Sequence, residues 1–124
     1  MANEAKPLFR PGANVTVKTT AAVTGKTFVG VSAAPDADGL IKAATATAAT
    51  KAFGVAARDI ASGDVGLILR GGIVNVTAGG TIAAGAEVEV GSGGKAVTLA
   101  SGKSVGTAVS AGTSNNDVLV ALDI

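Results

Sequence analysis

The sequence predicts an all-β fold, a small barrel or sandwich of short antiparallel strands entered by an extended N-terminal arm. Eighteen glycines and thirteen threonines are spread along 124 residues, too evenly for long helices. Valine alternates with Asn, Thr or Glu in several short runs, which is the period of a strand with one face buried. Glycine-containing turn signals return at roughly ten-residue intervals, as in a meander of hairpins. The organisation this gives is an arm over residues 1–12 and a single β-rich domain over 13–124.

In chain order, Pro7 and Pro11 bracket Leu8-Phe9-Arg10, so that the arm is extended and lacks a backbone donor at two positions. It either folds back over one end of the barrel or docks on a partner, adding backbone bonds and an apolar anchor. Asn14-Val15-Thr16-Val17-Lys18 is the first clear alternating strand, and Thr24-Gly25-Lys26 and Asp38-Gly39 mark turns. Ala43 to Thr50 is ambiguous, because its alanines favour helix and its alternating threonines favour strand. It reads as a loop or weak edge strand with room for one helical turn.

Val65 to Leu69 and Val118 to Leu122 are more continuously apolar, as strands covered on both faces would be. Ile73-Val74-Asn75-Val76-Thr77 and Glu87-Val88-Glu89-Val90 alternate again. Ser62-Gly63-Asp64, Ala78-Gly79-Gly80, Gly91-Ser92-Gly93-Gly94 and Ser101-Gly102-Lys103 separate these runs.

A faint repeat runs through the chain. Phe53-Gly54-Val55-Ala56-Ala57 precedes Asp64-Val65-Gly66-Leu67-Ile68-Leu69, and Val105-Gly106-Thr107-Ala108-Val109 precedes Asp117-Val118-Leu119-Val120-Ala121-Leu122. Val29-Gly30-Val31-Ser32-Ala33 resembles a third copy of the first half. Either small hairpins look alike in a Gly/Ala/Val-rich chain, or two related hairpins close one barrel.

Composition excludes most chemistry. There is no cysteine and no histidine, hence no disulfide, no thiolate nucleophile, no Cys/His zinc site and no Ser-His or Cys-His pair. No catalytic, cofactor-binding or metal-binding residue is assigned, and no cofactor is expected. Ten cationic and nine anionic side chains give no basic field for a phosphate backbone. Phe9, Phe28 and Phe53 are too few to stack bases, so no nucleic-acid partner is expected.

Met1 to Arg10 has no apolar signal-peptide core, and no apolar run reaches the roughly 20 residues of a bilayer span. No membrane partner is expected; the chain reads as soluble and made in a cytoplasm. Of the hydrophobic residues 26 are Ala and 29 are Val, Leu or Ile, so the core is thin and aliphatic. Charged residues are only 15%, which leaves neutral surface to be shared between chains, and the protein is expected to be oligomeric.

Apparent motifs resolve into turns. The Gly25-Lys26, Gly94-Lys95 and Gly102-Lys103 pairs lack the upstream glycine or the following hydroxyl of a phosphate loop, and read as hairpin turns with solvated lysines. Asp36-Ala37-Asp38-Gly39 resembles part of a calcium loop but has Ala34 and Thr45 where the first and last ligands belong, so it reads as a proline turn capped by aspartates. Glu87 and Glu89 share one strand face and read as solvated. The sequons at Asn14 and Asn75 are ordinary strand segments. Arg10, Arg58 and Arg70 are the only arginines, available for surface or intrachain pairs or for carboxylates of a partner subunit.

The start Leu8-Phe9-Arg10-Pro11-Gly12, the Gly54-Val55-Ala56 hairpin, the run from Gly72 to Val88 and the end from Val105 to Val120 together resemble the decoration, or cement, proteins of tailed-phage capsids. The resemblance covers most of the chain in order and is carried by glycines and small apolar residues. It implies a β-barrel-like, non-enzymatic domain that binds the outside of an icosahedral head, bridges major capsid subunits and reinforces the shell. It implies a homotrimer whose partner is the major capsid protein. It also places Leu8, Phe9, Arg10 and Pro11 at the capsid contact. The rival reading is a fibre, adhesin or surface-array module that binds a receptor or glycan. The bland stretch from Ala43 to Thr50 departs from the family pattern.

Overall fold

A computed structural model describes residue 5 and residues 12–124. Ten short strands follow one another: β1 (Asn14–Thr19), β2 (Phe28–Ala33), β3 (Ile41–Thr45), β4 (Gly54–Ala56), β5 (Val65–Leu69), β6 (Ile73–Thr77), β7 (Glu87–Val90), β8 (Ala96–Thr98), β9 (Gly106–Ala108) and β10 (Asp117–Leu122). The all-β expectation holds. The first five strands close a barrel in the order β1-β3-β2-β4-β5, and the last five form a sheet in the order β6-β10-β9-β7-β8.

The two groups of strands have one topology. In the barrel β1 pairs with β5, β5 with β4, β4 with β2 and β2 with β3, all antiparallel. In the sheet β6 pairs with β10, β10 with β9, β9 with β7 and β7 with β8, also antiparallel. The barrel is closed by a parallel pairing of β1 with β3 that runs from Val17↔Ile41 to Thr19↔Ala43. The sheet has only a trace of this closure, one parallel bridge between Ala78 and Ala96.

A single local motif builds both halves. A strand ends, the chain descends to a bridge residue, a residue of positive φ follows three positions later, and the next strand begins. The bridge residues are Val23, Ile60, Ile82 and Gly112, paired as Val23↔Ile60 and Ile82↔Gly112. The positive-φ residues are Lys26 (62°), Gly63 (81°), Gly85 (89°) and Asn115 (66°). Glycine takes this conformation freely and asparagine tolerates it, whereas lysine at Lys26 needs external support.

Each of these four residues donates its N–H across the pair, to Ala56, Thr19, Ala108 and Ala78 respectively, at 2.7–3.0 Å. The receiving residues donate back, Ala56 to Thr27, Thr19 to Asp64, Ala108 to Ala86 and Ala78 to Asn116. These reciprocal bonds pair the backbone N–H groups of all eight residues where the strands change direction.

Two core clusters follow. Val15, Val17, Val23, Val29, Ala43, Ala56, Ile60 and Ile68 fill the barrel. The second cluster packs around Val76, Ile82, Val88, Val105, Val118 and Val120, and it takes in Phe28 from β2. Val29 points into the barrel, so its neighbour Phe28 points out of it, into the core of the other half. One aromatic ring from the first half thus plugs the second.

Five expectations are corrected. Ala43 to Thr50 is no edge: β3 runs to Thr45 within the closed barrel, hydrogen-bonded to β1 on one side and β2 on the other, with Ala43 fully buried between them. Only the part beyond Thr45 is loop, with a turn at Ala49 (φ 65°). The parallel β1–β3 pairing also means that the barrel is not a pure meander.

Val65–Leu69 and Val118–Leu122 are not covered on both faces. Val65, Leu67 and Leu119 are exposed while Gly66, Ile68, Val118 and Val120 are buried. Finally, the related hairpins at 54–69 and 106–122 do not close one barrel but hold equivalent places in the two halves. Val29–Ala33 corresponds to the strand at Val88 rather than to 53–57.

Candidate interaction surface

The predicted contact residues Leu8, Phe9, Arg10 and Pro11 lie outside the described residues. The described chain begins beside the barrel end where β4 starts and β5 stops. There Arg70 N–H donates to Ala13 O at 2.7 Å. The Arg70 guanidinium lies 4.5 Å from the centroid of the Phe53 ring, and its Nε donates to Phe53 O at 2.8 Å. Arg70 is therefore engaged within the chain by a cation–π contact and a hydrogen bond. Arg58 is exposed.

Phe53 borders an open groove of about 480 Å³ between the outer side of β2 and the segment from Thr45 to Phe53. Its walls are hydroxyl-rich, with Ser32, Thr47 and Thr50, and Lys51 is the one charged side chain among them. Lys51 Nζ is held at 3.2 Å from the carbonyls of both Ser104 and Asp123. Composition and periodicity give no sign of this groove, since no local pattern marks where a strand and a following loop leave space between them.

The outer side of the second sheet is partly apolar, with Asp117 and Glu87 as its exposed carboxylates. Leu119 pairs across β10 and β6 with Asn75, and Ala121 with Ile73. Val109 N–H donates to Leu119 O at 2.8 Å, which brings Val109 alongside. Ile73 is 60% exposed and Val109 47%, high for side chains of this type in a chain with so few charges. On the barrel, Leu67 is the counterpart of Leu119 and is also exposed.

The hairpin tip between β2 and β3 is built as the aspartate turn expected. Asp38 N–H donates to Asp36 Oδ1 at 3.2 Å, Leu40 N–H to Asp38 Oδ1 at 2.9 Å and Gly39 N–H to Asp36 O at 3.0 Å. A buried lysine completes it: Lys42 Nζ lies 2.6 Å from Asp38 Oδ1 and 3.2 Å from Asp36 Oδ1, with Leu40 O as a third acceptor. The ammonium sits where a calcium reading would put the metal. Its hydrogen bond to Asp38, with help from the Leu40 N–H, holds the Asp38 carboxyl well below the usual carboxylate range. The same bond raises the Lys42 ammonium above its ordinary value.

Other motif residues are placed as follows. Lys26 is not merely solvated, because its Nζ stands 3.1 Å from both Asp117 oxygens and ties the first half to the second. Lys95 Nζ donates to Asn115 Oδ1 at 2.8 Å. Glu87 is exposed as expected, but Glu89 is not: it is 6% exposed, and its Oε1 accepts the Ala100 N–H at 2.9 Å. The reading of a solvated pair fails because the chain from Ala100 to Lys103 folds back over Glu89. Asn14 and Asn75 are exposed strand residues. Among the described residues no group of three His, Cys, Asp or Glu side chains is placed to hold a metal ion. No helix there is long and apolar enough to cross a membrane.

Comparison with known proteins adds three findings. No curated protein matches the sequence. Among solved structures the fold is similar to the "head fiber gp8.5 N base" of bacteriophage phi29, with a TM-score of 0.76 and 22% identity over 89% of this chain and 92% of that one. At that identity the likeness is one of fold. The family profile described as phage cement protein matches residues 9–124, which takes in both halves and the start of the first strand. On that match over nearly its whole length, the chain belongs to the phage cement protein family, structural proteins of the virion that decorate and stabilise the capsid.

Proposed function

We propose that the protein binds the outer surface of an assembled phage head as a homotrimer, bridges neighbouring major capsid subunits and stabilises the shell without catalysing a reaction. The observation that carries this reading is the family match across residues 9–124. The physical features agree with it. The body is all β and nearly neutral, and its exposed apolar side chains (Ile73, Leu119 and Val109) fit contacts between protein surfaces better than a reaction site. Binding of this kind is additive: each copy contributes modest affinity, and repetition over the lattice multiplies the effect.

In this reading residues 1–12 act as an arm, with Leu8, Phe9, Arg10 and Pro11 at the capsid, and 13–124 act as one body. The chain is made in the host cytoplasm and joins the head after the shell has formed. Heads assembled without the protein, mixed with it and imaged, test the reading. Full-length protein should occupy regular positions and raise the temperature at which heads release DNA, and protein lacking residues 1–11 should not. Unoccupied heads at saturating full-length protein would refute it.

A second reading is favoured by the likeness to a head fibre base, that of a module which carries or forms a receptor-binding fibre. Binding to host cells but not to heads would select it.

A further inference from the structure

Gly30 of β2 and Glu89 of β7 are the same position in the two halves. Gly30 faces Ala44 in the register in which Val29 faces Thr45, and Glu89 faces Val97 where Val88 faces Thr98. The flanking bonds correspond as well. Ala46 donates to Phe28 O as Leu99 does to Glu87 O, and Phe53 to Val29 O as Val105 does to Val88 O. The segment after β3 is therefore the counterpart of the segment after β8.

What fills the space under that segment differs. In the second half the Glu89 side chain lies there, with Oε1 accepting from Ala100 N–H and Oε2 without a partner among the described residues. Ala49, from the turn after β3, closes over it beside Gly102. In the first half Gly30 has no side chain, and the equivalent space is the open groove walled by Ser32, Thr47, Thr50, Lys51 and Phe53. Thr47 N–H, the counterpart of Ala100 N–H, donates to no acceptor among the described residues.

Among the described residues the molecule thus holds a filled and an empty version of one socket, and the filled one contains a carboxylate. Charge agrees, because Lys51 borders the empty socket, Arg70 stacks on Phe53 beside it, and no acidic side chain among the described residues lines it. A volume of about 480 Å³ exceeds one side chain. In the second half Glu89 shares the equivalent space with the small Ala49 turn, so the missing occupant is an acidic side chain on a loop of small residues.

We propose that the Gly30 groove is a socket for an aspartate or glutamate side chain presented by a surface loop of the major capsid protein. Thr47 N–H and Lys51 receive the carboxylate there. The inference rests on the capsid-binding reading above. Charge-assisted hydrogen bonds of this kind are roughly twice as strong as neutral ones, and the double tether of Lys51 to two carbonyls holds the cation ready.

The test is to fill the socket from within. A Cβ on Gly30 would meet only Ala46 Cα at 3.8 Å and Ala46 Cβ at 3.9 Å, ordinary contact distances. Gly30→Ala should therefore bind heads lacking the protein as the wild type does. Gly30→Glu, which places an intramolecular carboxylate in the groove as Glu89 does in the second half, should lose about tenfold or more in apparent affinity. Lys51→Glu, at an exposed position, should lose several-fold while melting within a few degrees of the wild type. Should Gly30→Glu fail to fold, Lys51→Glu decides the question. Binding by either folded variant equal to wild type overturns the socket and leaves the cement reading intact. Failure of the wild type itself to bind heads overturns the reading beneath it.

Discussion

Val23 and Ile60 exchange both backbone hydrogen bonds, Val23 N–H to Ile60 O at 2.8 Å and Ile60 N–H to Val23 O at 2.9 Å. Ile82 and Gly112 repeat the exchange in the other half at 2.9 and 2.8 Å. The two pairs join four copies of one turn, and in the barrel both partners are large and buried. Ile60 also covers Gly66, where a Cβ would overlap its side chain. Ile60→Ala should thus cost about 2–5 kcal/mol of unfolding free energy, the range for deleting a buried isoleucine side chain to alanine. Chemical denaturation measures it, and a loss under 1 kcal/mol would show that the bridge holds by backbone bonds alone.

The strands were legible where side chains alternate. Ile73–Thr77 and Glu87–Val90 are strands with the bounds that periodicity predicts, because one face of each packs against a core. The duplication was legible only as similar hairpins, since its strongest marker is a backbone state. Positive φ falls on Lys26, Gly63, Gly85 and Asn115, three residue types with nothing common in their side chains. Burial of Ala43 and Glu89 is not legible locally for one reason: it is decided by a distant segment, β1 and β2 around Ala43 and the Ala100–Lys103 turn over Glu89. The groove at Gly30 is a missing side chain, which becomes visible only when its counterpart is placed beside it.

Among the described residues Phe28 is the one aromatic side chain buried in the second core, and it comes from the first half. Gly94 packs on its backbone, where a Cβ would stand 2.7 Å from Phe28 O. Phe28→Ala should lower the stability of the whole body by about 3–5 kcal/mol and loosen both halves together. Amide exchange checks this: faster exchange confined to β1–β5 would show that Phe28 does not couple the halves.

Lys42 and Asp38 make the stability of the hairpin tip depend on pH. Asp38 is depressed below its ordinary 3.8, so its contribution is present above that value and is lost as pH falls through the lower folded value. Lys42 is raised above 10.5, so its contribution is full below that pH and is lost as pH rises through the higher folded value. The stability difference between wild type and Lys42→Met should therefore be level between these limits and shrink on either side. Urea titrations from pH 2 to 11 test it, and a difference that grows on acidification would contradict the assignment.

Gly102 lies against Glu89, and a Cβ there would overlap Glu89 Oε2 and stand 2.7 Å from Ala49 Cα. Gly102→Ala should cost about 1–3 kcal/mol, as overpacking does where backbone must shift. Truncating Glu89 in the same chain should return only part of that loss, because the clash with Ala49 persists. Full recovery in the double variant would mean that the Ala49 turn yields freely and does not close the filled socket.

Ile73 and Leu119 lie on neighbouring strands of one outer face, exposed at 60% and 39%. If that face joins the copies of the proposed trimer, Ile73→Lys together with Leu119→Lys should dissociate it, since charge in the dry centre of an interface is strongly disfavoured. Neither side chain belongs to the buried clusters, so the variant should keep its fold, with each change shifting stability by only about 0.5 kcal/mol. Sedimentation velocity on the wild type and the double variant separates the outcomes. A loss of mass with an unchanged melting curve assigns the face to self-association. An unchanged oligomer leaves it free for the capsid, in which case the same variant should bind undecorated heads more weakly.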